Sequence, residues 1–340
     1  MSDTPLKYRQ PAEWTRQRAV WTAWPRLEEE WGSILPEVQR EVAHFCNRLA
    51  AFETVHLLVC NGRCRKEAAA LITAPAVELV PLPYGDIWLR DTGPIFLDGP
   101  NQPAAALFRF NGWGGKFAMP HDDEVGRAIA DRIDATLFEH DLVCEGGALE
   151  TDGEGTCLTT KDSLLHPNRN GSMNAATIEG HLKAALGYEK ILWLDGQLEN
   201  DHTDGHIDTL ARFVAPGEVV CMEPSPGDPN GETLLNLIES LSTSTDARGR
   251  RLKVHRIPSP GLVTAEDGDT LPASYLNFLI VNGAVFVPTY DMDNDHQALA
   301  ALAPLFPERE VIGIPSRAIL SGGGALHCMT QQQPEGNGPR

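Results

Sequence analysis

The residues in this chain that are best suited to chemistry are a cysteine and a histidine–aspartate pair. Cys328 follows three glycines in the segment 321–330, Ser-Gly-Gly-Gly-Ala-Leu-His-Cys-Met-Thr. His206 stands two residues before Asp208 in the segment 201–208, Asp-His-Thr-Asp-Gly-His-Ile-Asp. Glycines allow a ligand or a second backbone to approach closely. A thiol directly after such a run is a candidate nucleophile, although a free cysteine is more often simply buried.

The segment 201–208 has two interpretations. Asp204, His206 and Asp208 alternate, so a strand would place all three on one face, where they could bind zinc or manganese. Alternatively, His206 transfers protons and Asp208 binds a positively charged group. We favour the second interpretation, because a candidate nucleophile is present and the sequence has no second His and Asp cluster with the spacing of metal ligands. A metal-dependent amidohydrolase remains the alternative.

Two further acidic residues stand in unusual positions. Asp91, in the segment Asp-Ile-Trp-Leu-Arg-Asp-Thr-Gly-Pro at 86–94, lies three residues after Trp88, and a cation can stack on an indole face. Glu145 precedes two glycines and could orient a catalytic histidine as the third member of a triad. Each acid could equally be a surface carboxylate beside a turn, so their function depends on convergence with the candidate nucleophile.

Composition limits the partners of this 340-residue chain. It is 42% hydrophobic and 22% charged, which is typical of a globular protein. Its 47 acidic and 28 basic residues give a net charge of −19, which argues against nucleic acid and anionic membranes and suits a cationic ligand. No apolar stretch approaches the ~18 residues of a membrane helix, and no secretory signal is visible. Seven cysteines in no regular framework predict a reduced, cytoplasmic protein.

One structural unit recurs about five times along the chain. Each unit reads as a strand, an amphipathic helix, a second strand and a closing strand that carries unusual polar residues. In the first unit, apolar residues on one face predict a helix over 34–51, and in the third unit Gly187 is typical of the residue that ends a helix. Asp-Gly and Asn-Gly turns join several units. The closing strands are predicted at 86–96, 145–149, 206–210, 274–280 and 321–330.

Five ββαβ-like units predict a single α/β domain over residues 1–340, ordered over about 11–334. The units would form a ring with one central strand each, and an open α/β sheet is the alternative. In a ring, the polar parts of the closing strands meet at the centre. Polar residues replace expected core residues at this place in four of the five units, which is typical of a functional site. The residues brought together would be Asp91, Glu145, His206, Asp208 and Cys328.

Several motifs, in their order along the chain, resemble the agmatine deiminase family. The resemblance covers residues 11–334, and the combination is specific for the wider superfamily of enzymes that modify guanidino groups. It implies a five-bladed α/β-propeller, the pentein fold, around a central active site. The motifs are Arg-Asp-Thr-Gly-Pro at 90–94, Phe-Asn-Gly-Trp-Gly-Gly at 110–115, Glu-Gly-Gly at 145–147, Asn-Arg-Asn at 168–170, Gly-His-Ile-Asp at 205–208 and the glycine-rich segment through His-Cys-Met-Thr-Gln-Gln-Gln-Pro at 327–334.

The resemblance also implies a role for each candidate catalytic residue. Cys328 matches the nucleophile, His206 matches the general acid and base, and Glu145 matches its supporting acid. Asp91 and Asp208 match the carboxylates that hold the guanidinium group.

Five residues are expected to contact the substrate. His202 occupies a position where members of the family that the chain resembles commonly carry an acid that meets the distal amine of agmatine. Because of this departure, the resemblance does not determine the chemical identity of the substrate tail. The glycines before the nucleophile are expected to let a flat guanidinium lie against the backbone. The expected contacts are Trp88, Trp113, His202, Asp204 and Gly323.

The implied reaction is hydrolysis of agmatine to N-carbamoylputrescine and ammonia through a covalent amidino-cysteine, a step of putrescine and polyamine biosynthesis. Carboxylates would raise the pKa of the thiol, whereas a bound guanidinium would lower it, so the substrate helps to ionise its nucleophile. No metal ion or organic cofactor is expected. The alternatives are a deiminase or amidinotransferase for another guanidine, and a non-catalytic cation-binding protein. The expected partner is a small guanidino cation, without nucleic acid or membrane, and a homo-oligomer is left open.

Overall fold

Five small β-sheets with a common strand order make up the fold. The computed structural model describes residues 8–100 and 103–336, so residues 1–7, 101–102 and 337–340 of the predicted domain lie outside the described ranges. In each sheet a first strand pairs antiparallel with a middle strand, and the middle strand pairs parallel with the next. This arrangement confirms the predicted α/β architecture of repeated units. The strands are β1 (Gln17–Ala23), β2 (Thr54–Val59), β3 (Val77–Pro81), β4 (Ile95–Leu97), β5 (Ala104–Arg109), β6 (Thr136–Val143), β7 (Glu150–Thr151), β8 (Thr156–Thr160), β9 (Lys190–Leu194), β10 (Ala211–Ala215), β11 (Glu218–Glu223), β12 (Lys253–Pro258), β13 (Leu279–Val281), β14 (Ala284–Thr289), β15 (Glu310–Pro315) and β16 (Gln331–Pro334).

The helices pack outside the sheets and use their apolar faces to do so. The helix predicted over 34–51 is confirmed as Leu35–Leu49, and the helix of the third unit ends at Gly187, whose φ of 75° suits glycine. The α-helices are α1 (Glu28–Trp31), α2 (Leu35–Leu49), α3 (Gly62–Leu71), α4 (Leu89–Thr92), α5 (Gly112–Gly115), α6 (Val125–Arg132), α7 (Lys161–Leu164), α8 (Pro167–Asn170), α9 (Ala175–Leu186), α10 (Gly231–Thr243), α11 (Asp295–Leu302) and α12 (Arg317–Leu320); 3-10 helices cover Gly32–Ile34, Gly146–Ala148, Ile207–Thr209 and Ala303–Leu305.

The first and last strands of the ring pair with each other. The first sheet has the order β16-β1-β2-β3, whereas the others have the orders β4-β5-β6, β7-β8-β9, β10-β11-β12 and β13-β14-β15. Strand β16 runs antiparallel to β1, with Gln331 opposite Trp21. The Trp21 indole also donates to Gln333 Oε1 at 3.0 Å. The C-terminal strand therefore supplies the first strand of the N-terminal sheet and joins the two ends of the chain.

The predicted closing strands are wrong in one respect. The polar residues lie in short helical turns that precede the first strand of each sheet, such as α4 before β4 and Ile207–Thr209 before β10. Asp204, His206 and Asp208 therefore do not share a strand face, and Asp204 has a left-handed φ of 63°. A turn at each of these points directs polar side chains towards the centre, which a regular strand with alternating sides could not do.

The apolar core is divided among the sheets and helices, while buried charged residues gather around the centre of the ring. Carboxylates and guanidinium groups there are at most 7% exposed, among them Glu13, Asp91, Glu145, Asp208 and Arg212. Such groups are stable in a protein interior only when they are paired or hydrogen-bonded. None of the helices in the described ranges combines the length and apolar character needed to cross a bilayer.

Candidate active site

A cavity of about 190 Å³ opens at one end of the ring and reaches the nucleophile candidate. Its walls include three tryptophans and a phenylalanine, and its acidic residues are Glu30, Asp86 and Asp91. Apolar walls with few polar groups are typical of small-ligand sites. The other lining residues are Trp31, Trp88, Trp113, Phe117, Met119, His202, Thr203, Ser321, Gly322, Gly323, Gly324 and Cys328.

Three predicted residues converge on the backbone of Gly147. A Cβ atom added to Gly147 would lie 2.7 Å from His206 Nδ1, 2.9 Å from Asp91 Oδ1 and 3.2 Å from Asp208 Oδ2. A side chain at 147 would therefore collide with these groups, and only glycine lets the backbone pack this closely against all three. The separate turns before β4, β7 and β10 thus bring their polar residues within a few ångströms.

Asp91 is fixed by two donors. The Trp113 indole donates to Oδ2 at 2.8 Å, and the Gly147 amide donates to Oδ1 at 2.9 Å. Trp113 itself has a left-handed φ of 52°, a strained conformation for an aromatic residue that is often retained at functional sites. Burial raises the pKa of Asp91, as do the nearby carboxylates of Asp208 and Glu145, against the opposing effect of His206.

Cys328 lies in the turn before β16 and contacts Asp208 and Asn277. Its Sγ is 3.6 Å from Asp208 Oδ2 and accepts a hydrogen bond from Asn277 Nδ2 at 3.0 Å. Burial raises the pKa of the Cys328 thiol well above its usual value, and the charges of Asp208 and Asp91 raise it further. These effects favour the neutral thiol, whereas a cation placed beside the two carboxylates would favour the thiolate.

His206 is fully buried, yet neither ring nitrogen has a hydrogen-bond partner among the described residues. Nδ1 lies 3.7 Å from Asp91 Oδ2, and Nε2 lies 4.0 Å from Glu145 Oε2. Asp208 Oδ1 is also buried without a partner in this part of the chain. Unpartnered buried polar atoms require an explanation, and three of them around one point fit a polar ligand.

Glu145 is held by Arg169 and not by the histidine that it was expected to support. Arg169 Nε donates to the two carboxylate oxygens at 2.7 and 3.0 Å, and Arg169 Nη1 reaches Asp204 Oδ2 at 2.6 Å. The support of His206 by Glu145 is therefore a nearby charge and not a hydrogen bond.

Asp204 does not line the cavity, in contrast to the sequence expectation. Its carboxylate is bound by Arg169 and by Lys116 Nζ at 2.5 Å. These cations outweigh partial burial and lower the pKa of Asp204. Because this carboxylate is directed towards Arg169 and Lys116, it does not join His206 and Asp208 as a ligand set, and no group of three metal-ligating side chains occurs in the described ranges.

The other expected substrate contacts, Trp88, Trp113, His202 and Gly323, all line the cavity. The glycine run lines the cavity and also makes room for its tryptophans. A Cβ at Gly322 would lie 2.4 Å from the Trp31 ring, and one at Gly324 would lie 2.7 Å from the Trp88 ring. The contact of a flat guanidinium with this backbone stays a prediction.

Sequence reasoning missed the residues that position the site, above all Asn277. This amide donates to Cys328 Sγ and, at 3.2 Å, to Asp208 Oδ2, and its Oδ1 accepts from the Cys328 amide at 3.2 Å. Asn277 lies in the turn before β13, in the one unit to which the sequence analysis assigned no central polar residue. The repeat could have identified it, because the other four units each place a polar residue at the equivalent position. Glu13 and His327 gave no such signal, because their partners are remote in sequence.

Comparison with known proteins gives a consistent set of relatives. Residues 9–334 match the family model described as Porphyromonas-type peptidyl-arginine deiminase. The agmatine deiminase of Pseudomonas aeruginosa is 38% identical over 352 residues, which cover 96% of this chain and 95% of that protein. The agmatine deiminase structure from Enterococcus faecalis superposes with a TM-score of 0.92 at 32% identity, covering 96% of each chain. DDAH from Pseudomonas aeruginosa with citrulline, at 10% identity and a TM-score of 0.52 over 93% of this chain and 99% of that one, shares the fold alone.

Proposed function

Because the chain belongs to the Porphyromonas-type peptidyl-arginine deiminase family, we propose that it is a hydrolase that converts agmatine and water to N-carbamoylputrescine and ammonia. The observation that carries this proposal is the convergence of Asp91, His206 and Asp208 around Gly147, with the thiol of Cys328 next to Asp208 and with Asp91 and Cys328 in the cavity lining. A planar cation bound there would meet carboxylates, a proton carrier and a nucleophile together.

Binding uses the two central carboxylates. Asp208 Oδ1 is free to accept from a guanidinium N–H, and Asp91 is already oriented by Trp113 and Gly147. Charge-assisted hydrogen bonds to a planar guanidinium are directional and hold its central carbon in place.

Attack begins when the bound cation favours the thiolate of Cys328, and the thiol proton passes to His206. The Sγ–C bond forms as the guanidinium π electrons move to nitrogen, which gives a tetrahedral adduct. His206 transfers a proton to the departing nitrogen, the C–N bond breaks and ammonia leaves. A covalent amidino-thioether remains on Cys328. His206 then removes a proton from water, the oxygen attacks the same carbon, and the S–C bond breaks to release the ureido product.

The cavity favours a small free guanidine. Its volume of about 190 Å³ is below the ~300–1,000 Å³ of typical drug-sized ligand pockets. Indole faces of Trp31 and Trp88 can cover an alkyl chain, and Glu30 and Asp86 supply negative charge for a distal ammonium. Burial raises the pKa of Asp86 to about 6, so this carboxyl is mostly ionised at neutral pH.

The cellular setting is part of the proposal. We place the reaction in putrescine biosynthesis, with the small guanidino cation as the only required partner and no nucleic acid or membrane. A cytoplasmic location is supported by seven cysteines that are all unpaired, because reducing compartments keep thiols free.

Incubation of the purified protein with agmatine in plain buffer tests the proposal. We expect stoichiometric ammonia and N-carbamoylputrescine by mass spectrometry, with an amidino adduct on Cys328 after acid quenching and no effect of a chelator. Turnover of arginine but not agmatine would contradict the substrate and retain the chemistry. Product only with an added acceptor amine would indicate amidino transfer, and inhibition by chelator would indicate a metal-dependent hydrolase.

A further inference from the structure

A buried histidine that the proposed mechanism does not use lies directly behind the central carboxylates. His327 precedes the nucleophile in sequence and is 1% exposed. Its Nδ1 is 2.7 Å from Asp208 Oδ2, and its Nε2 is 2.8 Å from Glu13 Oε2. The imidazole therefore bridges a carboxylate that faces the substrate and a carboxylate from the N-terminal part of the chain.

The partners of the two carboxylates determine the charge of this imidazole. Glu13 Oε2 also accepts from Arg212 Nη2 at 2.9 Å, and Oε1 accepts from the Ile280 amide at 2.7 Å. Asp208 Oδ2 also accepts from Asn277 Nδ2. A carboxylate surrounded by donors is ionised and can only accept, so each ring nitrogen of His327 must donate. Only the doubly protonated imidazolium donates from both nitrogens.

The charges around His327 support the same assignment. Five buried carboxylates face three buried guanidinium groups in this region, which we term the axial cluster, so two negative charges are left over. An imidazolium at His327 reduces the excess to one. A single guanidinium cation then neutralises the site. The carboxylates are Glu13, Asp91, Glu145, Glu150 and Asp208, and the guanidinium groups are Arg90, Arg169 and Arg212.

We propose that His327 is a positioning residue, held as an imidazolium between Glu13 and Asp208, that holds Asp208 by Oδ2, keeps Oδ1 available to accept from the substrate and leaves the axial cluster one negative charge for a monocationic guanidine. The inference rests on the proposed function, because it concerns the same site. The effect on Asp208 agrees with the local electrostatics: burial alone would raise the pKa of Asp208, but the hydrogen bond and charge of His327, together with the charges of His206 and Arg212, outweigh burial and lower it.

Replacement of the cation by a neutral side chain tests the electrostatic part. In His327→Gln the carboxyl of Asp208 loses its nearest cation, and a close opposite charge commonly lowers a carboxyl pKa by about 1–3 units. We therefore expect the acid limb of the kcat/KM–pH profile to move upward by about 1–3 units, with activity recovering as the pH rises. An unchanged limb in a folded variant would overturn the proposal.

A double variant that restores the net charge of the axial cluster distinguishes an electrostatic role of His327 from a purely structural one. Glu13→Gln combined with His327→Gln removes one negative and one positive charge, so the cluster again carries one excess negative charge. We expect the acid limb of the double variant to return towards that of the wild type. A purely structural histidine predicts that the double variant is at least as impaired as the single variant, with no return of the limb. The surface pair of His255 and Glu218, 2.7 Å apart, supplies the control His255→Gln, which should leave the profile unchanged.

A spectroscopic measurement on the wild type covers the case in which His327→Gln does not fold. In ¹⁵N-histidine-labelled protein we expect one imidazolium signal at pH 7.5, with both ring nitrogens protonated, that shifts in Glu13→Gln. A neutral ring at this position would overturn the inference. This readout does not depend on turnover, so failure of agmatine hydrolysis would contradict the proposed function, whereas a neutral His327 in an active enzyme would contradict only this inference.

Discussion

Two sides of the axial cluster differ in how fully their polar atoms are hydrogen-bonded: the front, where His206, Asp91 and Asp208 meet the nucleophile, and the rear, around Glu13, Glu150 and Arg212. At the front, both ring nitrogens of His206 and Asp208 Oδ1 have no partner in the described ranges. At the rear, the carboxylates of Glu13 and Glu150 and the guanidinium of Arg212 form a closed set: Arg212 Nε donates to Glu150 Oε2 and Arg212 Nη2 donates to Glu13 Oε2, both at 2.9 Å. The unpaired atoms of His206 and Asp208 are available to a ligand, whereas the ion pairs of Arg212 hold the rear rigid, although Arg90 Nη2 there has no hydrogen-bond partner in the described ranges.

Individual carboxyls of the two regions shift their pKa in opposite directions. Burial raises the pKa of Asp86, in the cavity lining, to about 6, and burial together with the charge of Asp86 raises that of Asp122 to about 7. At the rear, Arg212, His327 and Arg90 outweigh burial and lower the pKa of Glu13, whereas burial raises the pKa of Glu150. Ionisation is therefore disfavoured at Asp86 and Asp122 and favoured at Glu13.

The largest effect is expected from the nucleophile. Cys328→Ser should lower kcat for agmatine by about 10³-fold or more, because a serine hydroxyl lacks the low-cost ionised form of a thiol. Thermal unfolding should change little, since one oxygen replaces one sulfur. Initial rates and a melting curve measure the two quantities. Cys60→Ser, at a partly exposed cysteine outside the cavity, is the matched control. Wild-type rates for Cys328→Ser would exclude the covalent mechanism.

The next largest effect is expected at the rear, on the free energy of unfolding. Arg212→Met leaves Glu13 and Glu150 buried without their common cation, and breaking a buried ion pair from one side typically costs about 3–5 kcal/mol. Urea unfolding measures the loss. Arg256→Met, which breaks an exposed pair with Glu223, should change stability by less than about 1 kcal/mol. Equal losses in the two variants would remove the distinction between rear and surface.

A smaller effect is expected on the pH dependence of the free energy of unfolding, where Asp122 and Glu13 should differ in sign. The raised pKa of Asp122 means that folded wild type loses stability as the pH rises from about 4 to 7. Asp122→Asn should therefore gain stability relative to wild type over that interval, by up to about 4 kcal/mol at about 1.4 kcal/mol per pKa unit. For Glu13 the sign is opposite, because its lowered pKa gives stability above pH 4.5 that disappears at lower pH.

Denaturant unfolding from about pH 2 to 8 measures both contributions. Glu13→Gln should be less stable than wild type at neutral pH, with a difference that shrinks as the pH falls below about 4.5. Slopes of the same sign for Asp122→Asn and Glu13→Gln would show that these two acids do not differ.

The smallest effect is expected at the cavity entrance. Glu30 lines the cavity but is exposed, and surface charges contribute about 0.2–1 kcal/mol. Glu30→Gln should raise the KM for agmatine by up to about 5-fold and leave kcat unchanged. Added salt should reduce the difference. Glu29→Gln, on the same helix but outside the cavity lining, is the control. An equal rise in both variants would assign the effect to general surface charge.

The sequence predicted those parts of the fold that depend on local periodicity. The apolar face of α2 and the glycine that ends α9 are examples, because each follows from residues within a few turns. The short turns before the first strands were read as strands, since Ile207–Thr209 is too short to show a helical period. Asp91 and Asp208 stood out as polar residues where core residues were expected.

The positioning residues could not be found in the same way. His327 Nε2 and Glu13 Oε2 are 2.8 Å apart but 314 positions apart in sequence, and nothing local indicates that they meet. Asp204 shows the converse: its spacing from His206 indicated a shared site, but Arg169 and Lys116 draw its carboxylate away. Long-range ion pairs decide such side-chain directions, and they depend on the assembled ring.

The pairing of β16 with β1 has a consequence for the timing of activity in the cell. The turn that carries Cys328 is anchored there by Thr22, whose hydroxyl donates to the Met329 carbonyl at 2.9 Å. A ribosome must therefore synthesise the chain through residue 334 before the first sheet can be completed. A nascent chain without β16 has the central carboxylates but no anchored Cys328 turn, so we expect catalysis only after residue 334 has been added.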